Sequence, residues 1–263
     1  MSEFFIRRPI FAIAISLAMV LVGLVSLANL STEQFPNITP PVVEVTATYP
    51  GADALTVDDG YELTDEYLVP AFTDMMDRIE ALLARFPADF MEESLAKGQM
   101  HLSLVRDIAG NQDMVQFYEN GDAYIILEIS ENIEDRFLHG LAYVIDSHVL
   151  GNSRYFDSWK KLNPKDFDYD YNYYVYATHA ESEYLTGETR AFADAYSMTF
   201  PHEDRSRLFV AAMEEGNGDL FASEVMQAKL KRLCQGIREG YGYQRSKEAF
   251  AWEQYLAEPL ARK

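Results

Sequence analysis

The stretch Phe137-Leu138-His139-Gly140-Leu141-Ala142-Tyr143-Val144-Ile145-Asp146 lies inside a longer segment, Ile133 to Val149, with a helical repeat of apolar residues. Leu138, Leu141, Ala142 and Ile145 fall on one side of that helix. His139 and Tyr143 are four residues apart and share a face, so both side chains can reach one neighbour. Gly140 sits mid-helix, where glycine costs about 1 kcal/mol relative to alanine. On this pattern alone a lone histidine on a helix reads as structural.

Working outward, Leu63 to Phe86 reads as an acidic amphipathic helical region interrupted at Pro70. His101 to Ile108 and Ala123 to Ile129 read as strands, with turn signals at Gly110-Asn111 and Asn120-Gly121-Asp122. Pro201 opens a second helix, with Glu203 and Asp204 in its first turn and Leu208, Phe209 and Ala212 facing inward. Glu224 to Arg238 and Lys247 to Tyr255 complete a helical C-terminus. The tyrosine-rich stretch Asp168 to Tyr176 reads as a packed loop.

Composition narrows the function classes. The 263 residues are 48% hydrophobic, enough for a sizeable core. The net charge of -20 opposes binding to nucleic acid phosphates. The single cysteine, Cys234, excludes an intramolecular disulfide and a cysteine-rich zinc site. Charge is unevenly spread. The first 57 residues carry only Glu3, Arg7, Arg8, Glu33, Glu44 and Asp53. Within them, Ile10 to Leu30 is an uncharged run of 21 residues. As a helix it would be about 31 Å long, sufficient to cross a bilayer; a cleaved signal peptide, for which Ser26-Leu27-Ala28 is a poor cleavage site, and a buried core helix are the rival readings. Arg7 and Arg8 before it predict a cytoplasmic N-terminus and an exported remainder. The proline-rich Phe35 to Pro41 follows as an extended linker, then the strand-like Val42 to Tyr49 and a turn at Pro50-Gly51.

Three pieces of this region carry a resemblance. Phe4-Phe5-Ile6-Arg7-Arg8-Pro9-Ile10-Phe11, Gln34-Phe35-Pro36-Asn37-Ile38-Thr39-Pro40-Pro41 and Ala47-Thr48-Tyr49-Pro50-Gly51-Ala52-Asp53 resemble the N-terminus of resistance-nodulation-division multidrug efflux pumps. The resemblance covers residues 1 to about 57. It implies a cytoplasmic lead-in, a first transmembrane helix and a first porter-domain strand. It does not imply drug efflux by this chain, which has no second apolar run of spanning length and no intramembrane proton relay. Cut off from a pump's sheet, Val42 to Tyr49 is expected to be poorly ordered or to add to a sheet edge.

The helix with which the reading began carries a second resemblance. A zinc peptidase helix reads His-Glu-x-x-His, two histidines on one face gripping the metal and the Glu polarising its water. Here His139 keeps the first position, Gly140 replaces the Glu and Tyr143 replaces the second His. Downstream, Tyr196-Ser-Met-Thr-Phe-Pro-His-Glu203-Asp204-Arg205-Ser-Arg-Leu-Phe209 resembles the second active-site helix of gluzincin metallopeptidases, with the spacing of the lethal-factor-like branch. Asp146-Ser-His-Val-Leu-Gly-Asn-Ser, Trp159-Lys-Lys-Leu-Asn-Pro164 and Cys234-Gln-Gly-Ile-Arg-Glu are similar to a bacterial group of exported zinc-binding metallopeptidase-like domains. This resemblance covers roughly residues 61 to 258. It implies zinc as cofactor, His139 and Glu203 as metal ligands and Tyr196 as a catalytic aid.

Catalytic zinc takes three protein ligands plus water, and His139 and Glu203 supply two. His148 falls on the opposite helix face, Asp146 lies two turns on, and His202 is turned about 100° from Glu203. His101 and His179 lie in other segments. The domain is therefore expected to be catalytically inactive, with zinc binding incomplete. Without metal, His139 becomes a hydrogen-bonded core histidine, Glu203 a helix N-terminal carboxylate paired with Arg190 or Arg205, and Tyr196 a core residue.

The predicted fold class is α+β and helix-rich, an N-terminal transmembrane helix followed by a gluzincin-like domain with a small sheet. Residues 1–30 form the lead-in and span, 31–60 the linker with one pump-like strand, and 61–263 the metallopeptidase-like domain. The predicted partners are a bacterial inner or cell membrane, through residues 10–30, and a peptide or protein, with no nucleic acid. Three alternatives stand beside the inactive domain: an active zinc peptidase with a substituted third ligand, an efflux-pump fragment or accessory, and a fusion without selected function.

Overall fold

The structure is a computed structural model that describes residues 45–49, 56–57, 68–94, 98–105, 108, 112–153, 155–173 and 179–260. All of them belong to one unit, Pro41–Lys263. The strands are β1 (Val45–Tyr49), β2 (Thr56–Val57), β3 (Met100–Val105), β4 (Met114–Glu119) and β5 (Asp122–Glu128). The helices are α1 (Leu68–Leu83), α2 (Phe90–Ser94), α3 (Ile133–Asn152), α4 (Pro201–Met213) and α5 (Glu224–Gly240).

The strands form one mixed sheet in the order β2-β1-β3-β5-β4. β3 and β5 are parallel and the other neighbours antiparallel. Asn120 and Gly121 close the β4–β5 hairpin with φ of 53° and 97°. A two-residue turn with both φ positive matches the twist of the flanking strands, and Asn-Gly is its favoured sequence. Ala123, Ile125 and Leu127 alternate along β5 and are fully buried on one face. On the other face Tyr124 stacks between His101 and Phe117, at centroid distances of 4.5 and 4.9 Å. β1 pairs along the whole of its length with β3, from Val45 opposite Leu104 to Tyr49 opposite Met100. The pump-like strand thus lies within the sheet, between β2 and β3, and not at its edge as expected.

α3 lies on the buried face of the sheet, and Gly140 is why it can lie so close. A Cβ at position 140 would sit 2.8 Å from Ile125 Cγ2, closer than side chains pack. α4 packs on α3 and is buried almost all round, from Glu203 to Ser206 and from Leu208 to Met213. α5 closes the core behind it, capped by the Ser223 hydroxyl, which accepts from Met226 N at 3.2 Å.

The chain after α5 is not the helix expected over Lys247 to Tyr255. It has two short 3₁₀ turns, at Tyr243–Arg245 and Ala251–Glu253, and no α-helix among its described residues. The reason is Arg238, which is 4% exposed. Its guanidinium donates to Glu253 Oε1 and Oε2 at 2.5 and 2.8 Å and to the carbonyls of Tyr243, Ser246 and Glu248 at 3.1, 3.2 and 2.6 Å. Those carbonyls point at the guanidinium and not along a helix axis. Trp252, fully buried, then packs against Phe86, Phe90 and Phe250.

The predicted fold class needs correction. Among the described residues no helix is long and apolar enough to cross a membrane. The expected span, residues 10–30, lies outside the described residues, as does the Leu63 to Tyr67 start of the first predicted helix. The described part is a helical layer on a small mixed sheet. Position 140, where the His-Glu-x-x-His pattern has its glutamate, is a glycine packed against Ile125 of the sheet.

Gly140→Ala is expected to destabilise the chain by ~1–3 kcal/mol in urea unfolding, although alanine is the better helix former by ~1 kcal/mol. A stabilised variant would mean that α3 does not sit this close to β5.

Candidate functional site

The site is built where α3 crosses α4. His139 and Tyr143 occupy successive turns of one face of α3. Glu203 stands in the first turn of α4, two residues after Pro201, whose fixed φ suits a helix start. Glu203 is fully buried and His139 is 6% exposed. His139 Nε2 lies 3.1 Å from Glu203 Oε2. Tyr143 donates its hydroxyl to Oε1, the other oxygen. His202 Nε2 comes within 3.4 Å of Oε1 and 3.0 Å of the Tyr173 hydroxyl. An ionised carboxylate only accepts, so the imidazole N–H of His139 donates to it.

Burial alone would raise the Glu203 carboxyl from its ordinary 4.5. The hydrogen bonds from His139, His202 and Tyr143 outweigh burial and hold it at about 2. Tyr143 is pushed the other way, first by burial and then by the charge of Glu203, and stays a phenol at any ordinary pH. Tyr196, in a 3₁₀ turn before α4, is half-buried, with its ring 5.6 Å from that of Tyr173. Burial, then the nearby Glu203, raises its hydroxyl too.

The structure therefore brings His139 and Glu203 into direct contact and sets Tyr196 in their electrostatic neighbourhood. It does not give Glu203 an arginine. Arg205 is bound to Asp146 of α3 through both carboxylate oxygens, at 2.5 and 2.9 Å, and Arg190 donates to the carbonyls of Phe192 and Ala193. His148 turns to the carbonyl of Gly240, His101 to Tyr124 and His179 to Asp170. Sequence reasoning passed over His202 and Tyr173. Helical angle alone turned His202 away from Glu203, but a carboxylate with two oxygens accepts donors from both sides.

A second buried centre lies one residue on. Asp204 Oδ2 accepts from Trp159 Nε1, Tyr169 OH and Lys229 Nζ at 2.9, 2.6 and 2.7 Å. Lys229 is fully buried, its ammonium also bound to the carbonyl of Ala191 and 3.7 Å from the centre of the Phe192 ring. The sequence signal for both centres is the run Glu203-Asp204-Arg205 inside a helix that is otherwise core.

The zinc implied by the resemblance does not fit these residues. Its two best ligands are each other's hydrogen-bond partners, and the remaining donors converge on the same carboxylate from its two sides. A neutral phenol held above its ordinary titration range is a poor third ligand. Among the described residues no group of three or more His, Cys, Asp or Glu side chains is arranged to hold a metal ion. Gly140 leaves no general base on α3 beside His139.

Comparison with known proteins places a family similarity at the N-terminus. The model of the AcrB/AcrD/AcrF family matches residues 1–63. Multidrug resistance protein MdtF of Escherichia coli is 31% identical over 129 residues, 49% of this chain and 10% of that protein. The toluene efflux pump membrane transporter TtgB of Pseudomonas putida is 52% identical over 59 residues, 22% of this chain and 6% of the transporter. The multidrug export protein AcrF of Escherichia coli is 49% identical over 59 residues, again 22% of this chain and 6% of that protein. The chain spans a tenth or less of the length of these relatives. No solved structure matches. These matches lend the metallopeptidase reading no support, and its gluzincin fold is set aside. What they establish is an efflux-pump-type segment at the N-terminus.

Because the folded carboxyl of Glu203 titrates below its ordinary value, its contribution is complete above about 4.5 and is lost as pH falls towards about 2. That contribution is on the order of 3 kcal/mol. Urea unfolding across this window should show the loss, and Glu203→Gln should flatten it. Tyr143→Phe, which removes one donor, should cost ~1–3 kcal/mol at neutral pH.

Proposed function

We propose that this chain works at a bacterial inner or cell membrane as an accessory of an efflux transporter of the kind its N-terminus resembles. In this reading residues 10–30 anchor it, the N-terminus is cytoplasmic, and the described domain is an exported module that binds a peptide or protein without hydrolysing it. The observation that carries the proposal is continuity. The family match runs through residue 63, and β1 and β2, which lie within it, belong to the same sheet as β3, β5 and β4. Two strands of the pump-type segment are thus part of the domain's sheet, which suits a tether that docks with a related membrane protein.

Two features support a binding role over hydrolysis. The glutamate that would activate water is Gly140, packed on Ile125. The carboxylate and imidazole that would hold the metal are bonded to each other. The net charge of -20 favours partners other than nucleic acid.

Affinity purification of the full-length chain from detergent-solubilised membranes tests this. Recovery of a full-length transporter of the AcrB/AcrD/AcrF type with the chain is expected, together with no peptidase activity above a Glu203→Ala control. An isolated monomer with no transporter attached, or hydrolysis abolished by Glu203→Ala, would overturn the proposal.

A further inference from the structure

We infer that the exposed end of the tyrosine-rich stretch, Tyr171 and Tyr173 on Phe200, is the face with which this domain takes its partner. The ligand is a cationic side chain, lysine or arginine, on a basic segment of that partner. The inference rests on the proposed role in binding a peptide or protein, and gives that role a site and a ligand chemistry.

The stretch Asp168 to Tyr176 reads in sequence as a packed loop; residues 174–176 lie outside the described residues. In the described part Tyr169 is packed, buried against Phe167 and Phe192. Tyr171 and Tyr173 are not, and stand 50% and 40% exposed. Both rings are nevertheless held in place. Tyr173 lies 4.2 Å from Phe200 and 5.6 Å from Tyr196, and Tyr171 meets Phe200 edge to face at 5.7 Å. The backbone is held as well. Tyr171 has φ of 58°, a conformation unfavourable for a residue with a Cβ. The N–H groups of Asp170 and Tyr171 secure it by donating to the carbonyls of Met198 and Thr199 at 3.3 and 2.8 Å. Large rings presented to solvent by a fixed and costly backbone are what a preformed binding surface requires.

Charge complementarity fixes the sign of the ligand. Asp168 and Asp170 alternate with the rings along the chain and are exposed beside them, in a chain of net charge -20. Aromatic faces attract cations through their quadrupole, and neighbouring carboxylates reinforce that attraction. The chain supplies its own example. The Lys160 ammonium lies 4.9 Å from the centre of the Tyr171 ring and 6.0 Å from that of Tyr169, and donates to the Tyr171 hydroxyl. Tyr173, on the same Phe200, offers a second exposed ring of the same chemistry.

Calorimetric titration of the full-length chain in detergent tests this. The probes are a short peptide of lysine, glycine and serine, and the same peptide with every lysine acetylated. The lysine peptide is expected to bind, and the acetylated one to bind at least roughly tenfold more weakly. Tyr171→Leu and Tyr173→Leu leave the charge of the chain unchanged, and each is expected to weaken binding roughly fivefold. Phe117→Leu, at an exposed ring on β4, is expected to bind as wild type does. Circular dichroism shows which variants are folded, and the acetylated peptide decides the matter on wild type alone if they are not. No binding of the lysine peptide would overturn the inference. Equal binding of the two peptides would do so too, because the face would then take apolar partners. So would folded tyrosine variants that bind like wild type, because the attraction would then be that of any acidic chain. A transporter recovered by affinity purification with no binding of the lysine peptide would overturn this inference and leave the transporter association standing; peptide binding with no transporter recovered would do the reverse.

Discussion

Three successive charged residues on one buried helix constrain the rest of the structure. Glu203, Asp204 and Arg205 follow one another in the first two turns of α4, and all are under 10% exposed. Successive helical residues turn by about 100°, so the three side chains leave the helix in different directions. Each charge would cost several kcal/mol if buried alone. Each therefore demands a partner, and the partners come from different parts of the chain: His139 and Tyr143 of α3 for Glu203, Lys229 of α5 with Trp159 and Tyr169 for Asp204, and Asp146 of α3 for Arg205. Satisfying all three sets the register of α3 on α4, the approach of α5 and the path of the chain from Trp159 to Tyr169. Arg238 repeats the device for the C-terminal segment, with one buried guanidinium gathering three carbonyls and Glu253.

The same constraint explains why the functional residues are held still. His139 and Glu203 are hydrogen-bonded to each other, which fixes the imidazole against the first turn of α4. Gly140 is turned about 100° round α3 from His139, and its absent side chain lets the helix settle on Ile125. The two positions at which the peptidase pattern is broken thus have separate physical uses, one in closing the carboxylate and one in packing on the sheet.

Much of the helical layer was legible in the sequence. Leu138, Leu141, Ala142 and Ile145 of α3, and Leu208, Phe209 and Ala212 of α4, are buried as their spacing requires. β4 was missed, although the Asn120-Gly121 turn that joins it to β5 was visible. Half of β4 is exposed at a sheet edge, so Met114 to Glu119 shows no clean alternation of burial. Among the described residues from Tyr155 to Met198 the helical elements are 3₁₀ turns joined by irregular chain, with no sustained period for sequence to display. In the site, His139 and Glu203 could be named because a motif marks them. Tyr173, His202, Lys229 and the pairing of Arg205 with Asp146 could not, because their roles arise only when α3, α4 and α5 meet. The strand Val45–Tyr49, pump-like in sequence, pairs in register with β3, which alternation alone could permit but not assign.

The central claim is that the chain's own buried charges, and not a bound metal, hold α3, α4 and α5 together. Thermal unfolding of the full-length wild-type chain, with and without a strong zinc chelator, tests it most directly. The same midpoint in both conditions is expected. A midpoint that falls on chelation and returns on adding zinc would contradict it.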